Sequence, residues 1–182
     1  MNIKINDKTY SYKQIDSLYW LKENLDFLYT TESSEYYYFN NFDSHNVMGY
    51  LYDYDTAYNI ISLLGNNVPS GWRLPTKTEV EDLIDVYDGQ KQAGSALRSI
   101  SSLWNTNTGV TNSSELSILP GGYIDTTTNN IMGIGNTARI WTSNSVNTKL
   151  AWCLDISGSN TKASLIKLDR NMCCSIRLVK TV

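Results

Sequence analysis

Side chains capable of catalysis or metal binding are few. His45 is the only histidine, and the cysteines are Cys153, Cys173 and Cys174. A nucleophile–base pair would need His45 beside a thiol or a serine, and no spacing brings them together. The run Asp43-Ser44-His45-Asn46 reads as a polar loop with an exposed histidine. One histidine and no Cys-x-x-Cys pair leave zinc without a ligand set. Calcium needs several oxygens close together, and Asp53 with Asp55 would hold a cation only weakly. Phosphate-cradling glycine spacing and paired catalytic carboxylates are missing. An odd cysteine count with the vicinal pair Cys173-Cys174 is not a disulfide framework. Reduced thiols are expected, one bridge from Cys153 to either neighbour being the alternative in an oxidising compartment. The residues point to no enzyme, no metal centre and no cofactor.

Recognition is the chemistry left. The chain has 182 residues and a formal charge of −3, which argues against nucleic acid as a partner. Residues 1–115 carry 15 acidic and 8 basic side chains, whereas residues 116–182 carry 3 and 7. Solvated lysines explain that mildly basic third, with an anionic partner as the alternative. All 13 tyrosines lie at or before Tyr123, and the rest is rich in Asn, Ser and Thr. Ordinary loops account for such a composition, and so would an exposed contact surface. No apolar run is long enough to insert into a membrane. The opening Met-Asn-Ile-Lys-Ile-Asn-Asp lacks a signal peptide's apolar segment. The expectation is a chain that is cytosolic, released by lysis, or trimmed of its signal.

The elements that must position such a surface follow from periodicity. Ile3 and Ile5, then Tyr10, Tyr12 and Gln14, alternate with polar neighbours and predict two strands around a turn at Asn6-Asp7-Lys8. Residues 18–25 continue in mixed form and carry Trp20 inward. Tyr36-Tyr37-Tyr38-Phe39 reads as a strand, with an aromatic binding patch as the alternative. Ala57, Ile60, Ile61 and Leu64 form one buried stripe of a helix over 53–64, with Gly65 as a left-handed cap. Thr76 and Glu79 form a capping box opening a second helix with Val80, Leu83, Ile84 and Tyr87 inward. Between the helices, Pro69-Ser70-Gly71-Trp72-Arg73-Leu74-Pro75 is a rigid irregular turn. Its Trp72 and Leu74, two apart, point to one side as a core plug. Residues 93–100 suggest a short helix, 101–117 a loop carrying Trp104, and 116–125 a strand broken at Pro120-Gly121-Gly122. Residues 131–142 hold two glycines before Ile140-Trp141. In the strand 150–157, Leu150, Trp152, Leu154 and Ile156 take one parity, and Ala151, Cys153, Asp155 and Ser157 take the other. Residues 165–168 and 175–182 read as further strands. Strands at both ends with two helices between them predict one α+β domain over 1–182, with a mixed or antiparallel sheet and a long loop-rich C-terminal half.

Several stretches, in order, resemble the Fibrobacter succinogenes major paralogous domain family, a C-type-lectin-like group. They are Trp20-Leu21-Lys22-Glu23-Asn24-Leu25, Gly49-Tyr50-Leu51-Tyr52, the Trp72 turn, Leu119-Pro120-Gly121-Gly122-Tyr123, Trp141-Thr142-Ser143, Ala151-Trp152 and Ser175-Ile176-Arg177-Leu178-Val179-Lys180. The resemblance covers about residues 15–180 and implies a C-type-lectin-like fold. The tripeptides through which sugar-binding C-type lectins hold calcium are absent; Trp104-Asn105-Thr106 comes nearest and lacks the acid. Formylglycine-generating enzymes share that fold, but use cysteines a few residues apart, which adjacent thiols do not match. The chain departs from the family at Val68, where a cysteine is usual, and at Met172-Cys173-Cys174, where Gly-Phe is usual. The lost glycine at 173 implies a backbone need left unserved.

The end of the chain is also similar to the variable proteins of diversity-generating retroelements, whose C-terminal segment is mutated at adenines while the scaffold stays fixed. Trp141-Thr142-Ser143, the polar 144–150, Ala151-Trp152, the alternating Cys153, Asp155 and Ser157, and the closing Ile176-Arg177 carry that likeness. Most residue types there are reachable from an Asn codon by changing adenines, Met172 being the exception. The resemblance implies a scaffold over 1–140 and a variable segment over 141–182. It places contacts at Asn144, Ser145, Asn147, Lys149, Cys153, Asp155, Ser157, Ser164, Ile166, Leu168, Asp169, Arg170, Asn171, Met172 and Cys173, with Leu168, Met172, Cys173 and Cys174 exposed. The expected partner is a protein or glycan on another cell or particle, and the setting a phage tail tip or a bacterial surface. An ordinary, undiversified surface or adhesin domain is the alternative.

Overall fold

The computed structural model describes residues 1–28 and 45–182. The expected Tyr36–Phe39 strand lies outside them. The N-terminal alternation produces strands β1 (Asn2–Ile5), β2 (Lys8–Ile15) and β3 (Leu18–Leu21), joined by tight antiparallel turns. β9 (Val179–Thr181) pairs antiparallel with β3, so the chain's two ends share one four-stranded sheet in the order β1-β2-β3-β9. Helix α1 (His45–Met48) opens at His45, where a loop was expected. Helix α2 (Tyr54–Leu64) buries Ala57, Ile60 and Leu64. Gly65 has φ 54° but ψ −125°, so it is not left-handed helical; it leads instead into a 3-10 turn over Gly65–Asn67. Helix α3 (Lys77–Val86) carries both halves of the Thr76–Glu79 capping box, and Tyr87 caps its other end. Helix α4 (Ala93–Leu97) stops short of the expected residue 100.

The Trp72 turn does more than fill space. Trp72 and Leu74 are both buried in the core beneath β1–β3. Between them Arg73 pairs with Val179, with N–H···O distances of 2.9 and 2.8 Å, and so extends the terminal sheet. The expected strand over 116–125 shortens to β4 (Tyr123–Asp125), which pairs with β5 (Asn130–Met132). Ahead of it Ile118 and Gly122 make isolated bridges to Arg98 and Ala138.

β6 (Thr137–Ser145), β7 (Leu150–Ser157) and β8 (Ala163–Asp169) form a three-stranded antiparallel sheet. Both of its faces are covered, each by a different core. Trp141, Ala151 and Cys153 join α2, Trp72, Ile176 and Leu178 on one side. Ile140, Leu154 and Ile156 join α3, α4 and Trp104 on the other. A strand with one solvated face alternates cleanly; one covered on both does not. Two buried arginines close the packing. Arg98 stacks on Trp104 at 4.2 Å and donates to the carbonyls of Thr106, Gly158 and Asn160. Arg177 donates to Asn24 Oδ1 at 2.8 Å and to the carbonyls of Leu21 and Leu116. The fold is α+β with antiparallel strands.

Candidate functional site

The end of the β6–β7–β8 sheet projects between the N-termini of α2 and α3, and local sequence shapes it. Pairing shifts between Trp141–Cys153 and Ser145–Ala151, so β6 takes four steps where β7 takes two. Such a bulge re-aims side chains. Ser143 N–H reaches the Pro75 carbonyl at 2.8 Å, and Asn144 Oδ1 accepts the Lys77 N–H at the start of α3 at 2.7 Å. The hairpin turn is held by Asn147, whose Oδ1 accepts the N–H groups of Lys149 and Leu150 at 2.8 and 2.9 Å, an Asx turn. Beyond β8, Asp169 accepts the Asn171 N–H at 2.9 Å and turns the chain back.

Arg170 is the hinge of this surface. Its N–H donates to the Lys149 carbonyl at 2.9 Å, and its carbonyl accepts the Tyr54 N–H at 3.0 Å. Its guanidinium pairs with Asp55, lies 3.4 Å from the Asn147 carbonyl and sits 4.8 Å from the Tyr54 ring centre. Tyr54 is itself fixed, with its hydroxyl on the Ser143 carbonyl at 2.9 Å and its ring edge-on to Trp141. Burial raises the Tyr54 phenol above its ordinary range, and the Arg170 charge opposes that. One open depression of about 370 Å³ is lined by Tyr54, Tyr58, Ser143, Asn144, Ser145 and Arg170. A second, of about 340 Å³, is lined by Asp55, Thr148, Lys149, Asp169, Arg170 and Asn171. Arg170 forms the shared wall.

Of the contacts expected from sequence, seven meet here: Asn144, Ser145, Asn147, Lys149, Asp169, Arg170 and Asn171. Asp155, Ser157 and Ser164 lie further along the same sheet. There Asp155 is paired with Arg139 at 2.8 Å, and Arg139 stacks 3.6 Å from the Tyr123 ring centre. Ile166, Leu168 and Met172 are half-buried, packed against the α2 core rather than displayed. Cys153 and Cys173 depart furthest from expectation, at 0 and 1 % exposure, and Cys174 is also fully buried. Cys153 shares its face with the core because α2 covers that end of the sheet. Cys173 pairs with Ile124 in an antiparallel bridge and has no positive φ, so the missing glycine leaves no backbone need there. Burial pushes the Cys173 thiol up to about 12. The thiols are free, without a disulfide.

Sequence reasoning missed Tyr54 and Tyr58, and noted Asp55 only as a weak cation ligand and Ser143 only within the Trp141-Thr142-Ser143 stretch. A signal existed for the helix: Tyr58 stands one turn after Tyr54, is 60 % exposed, and lies off the buried stripe. The Asp53–Asp55 pair does not form a cation site. Asp53 caps α2 by accepting from Thr56 at 2.9 and 3.0 Å, and Asp55 is held by Arg170. Among the described residues no group of three acidic, histidine or cysteine side chains could hold a metal ion. No helix among them is long and apolar enough to cross a membrane.

No curated protein and no solved structure matches the chain. The sequence profile of the Fibrobacter succinogenes major domain matches residues 12–180, which takes in the Trp72 turn, both capped helices, every strand from β3 to β8 and the start of β9. The chain therefore belongs to the Fibrobacter succinogenes major domain family.

Proposed function

We propose that this chain is a non-catalytic binding domain of C-type-lectin-like fold. The Arg170 rim is its contact surface, for a protein or glycan on another cell or particle. One observation carries the reading. Six contact residues chosen from sequence, Asn144, Ser145, Lys149, Asp169, Arg170 and Asn171, line two adjacent depressions, and a seventh, Asn147, holds the turn between them by hydrogen bonds. Specificity on exposed turns over a rigid sheet is a common way to build recognition. Closure of both chain ends into one sheet, with α2 and α3 following, supports the C-type-lectin-like assignment. A thiol-based oxidase is disfavoured, because Cys153, Cys173 and Cys174 are buried. Within this reading the segment 141–182 is diversified and the domain sits on a phage tail or bacterial surface; an ordinary adhesin-type domain is the second reading.

The test is binding of fluorescently labelled protein to cells and particles from the community that carries the gene. The triple variant N144A/K149A/R170A is expected to keep the wild-type circular dichroism spectrum and lose at least about tenfold in binding, on the scale of a few lost interface anchors. Equal binding by the two proteins would overturn the assignment of this surface.

A further inference from the structure

The chemistry of the Arg170 rim specifies its ligand more narrowly, on the premise that the rim is the contact surface. Neither depression is lined by an aliphatic side chain. Protein–protein interfaces are organised around an apolar, desolvated centre, and here the one exposed apolar face in the lining is the Tyr58 ring at the edge. The first depression instead offers hydroxyls and amides, which both donate and accept, on short side chains that lose little rotamer freedom when ordered, and the second sets Thr148 and Asn171 among Asp55, Lys149, Asp169 and Arg170. That matches a polyhydroxylated ligand. The exposed Tyr58 ring at the edge offers a flat face for the C–H side of a pyranose.

One charged group stands between the two depressions. The Arg170 guanidinium is held against Tyr54 and the Asn147 carbonyl, so its orientation does not depend on Asp55 alone. Asp55 is 69 % exposed as a side chain, and an exposed ion pair of this kind contributes little. Arginine presents a planar fork suited to a carboxylate. Asp55 also lies in the first turn of α2, where the helix dipole favours negative charge. A ligand carboxylate replacing Asp55 would meet the same fork and the same field. Lys149 adds a second cation to the adjoining wall.

We infer that the rim binds a carboxylate-bearing sugar unit of a glycan. The carboxylate takes Asp55's place on Arg170, and the ring hydroxyls engage Asn144, Ser145 and Asn171. Asp55 is then an internal mimic of the ligand, and its removal strengthens binding.

The probes are sodium D-glucuronate and D-galacturonate, each against its uncharged parent, D-glucose or D-galactose, titrated into the full chain and followed by two-dimensional amide NMR. The uronates are expected to shift amides of residues 54–58, 143–149 and 169–171, and the parent sugars to bind at least about tenfold more weakly. D55A is expected to tighten uronate binding by about two- to fivefold, the worth of an exposed ion pair. R170A should abolish the preference for the acid while keeping a folded spectrum. Parent sugars binding as well as uronates, with R170A unchanged, would overturn the carboxylate assignment but leave the rim as the contact surface. N-acetylglutamate matching the uronates would overturn the sugar assignment. No shift with any probe up to 50 mM (a concentration of about the weakest useful affinity) would overturn the inference, while community binding lost in the triple variant would keep the surface.

Discussion

Arg177 illustrates how one buried residue can be legible in type and illegible in role. The sequence marks it as part of a closing Ile-Arg-Leu-Val run, and the structure buries its charge, with the Glu23 carboxylate acting on it only at a distance and its donors directed at carbonyl oxygens. Three carbonyl oxygens, those of Asn24, Leu21 and Leu116, take its donors and tie β3 to the residue-116 loop. Burial lowers its affinity for its proton. Replacing it with methionine removes the charge but orphans acceptors that no water reaches, at about 1–3 kcal/mol each. R177M is expected to lower unfolding stability by roughly 3–5 kcal/mol, read as the shift in urea midpoint; a shift below about 1 kcal/mol would mean the carbonyls find other donors. The cysteines fail in the opposite direction. Alternation along 150–157 sets Cys153 on the outward face, because periodicity says which residues share a face and not what covers that face. Here α2 covers it.

At the scale of elements, the start of α3 was the most legible feature, because its determinants are local. Thr76 Oγ1 accepts the Glu79 N–H at 3.2 Å, and Glu79 accepts the Thr76 N–H at 2.7 Å. What the capping box did not reveal is its third member. Glu79 also takes a two-pronged pair from Arg73, at 2.8 and 2.6 Å, and so fastens the helix to the Trp72 turn. The Arg73 pair above all, with the cap bonds, holds the Glu79 carboxyl below its ordinary range. Its folded value is thus lower than its unfolded value. The stability it contributes is full above the unfolded carboxylate range and is lost as pH falls through the folded value. E79Q keeps the bond to Thr76 N–H and loses the ion pair, at a cost of about 1 kcal/mol at pH 7. E79A loses both, about 2 kcal/mol. Denaturant titrations from pH 7 to pH 2.5 should show the E79Q deficit closing as the wild-type carboxylate protonates. A constant deficit across that range would show that the ion pair contributes nothing. Strands were less legible than this helix. The expected strands over 116–125 and 175–182 shrank to three residues each because much of their pairing is by isolated bridges to distant segments.

Considered whole, the molecule separates a scaffold from a displayed rim, but the boundary does not fall at a residue number. The sequence places it at residue 140, with the outward positions after it open to variation and Trp152, Leu154 and Ile156 kept inside. The fold draws it through the segment instead. Asn144, Ser145, Asn147, Lys149, Asp169 and Asn171 are exposed, whereas Cys153, Cys173, Cys174 and Ile176 are core. A polar side chain at Cys153 would have no partner in a site shared with Trp141 and α2, a cost of several kcal/mol against a folding stability of about 5–15 kcal/mol. Substitution at the exposed Ser145, Lys149 and Asn171 falls within about ±0.5 kcal/mol, and at Asn144, Asn147 and Asp169, whose side chains accept backbone N–H groups, it costs about 1 kcal/mol each. Adenine-directed mutation would strike both sets alike, since it acts on the gene, but only folded products would persist. Deep sequencing of the gene in the population that carries it should therefore find substitutions confined to about 144–174 at adenines of a nearby template copy. Polar, charged and aromatic types should recur at 144, 145, 147, 149, 169 and 171, and only small or apolar types at 153, 173 and 174. Free sampling of charged residues at 153 would contradict the packing of β7 beneath α2. Even or absent variation along the chain would remove the diversified reading, leaving the Arg170 rim as the fixed site of an ordinary surface domain.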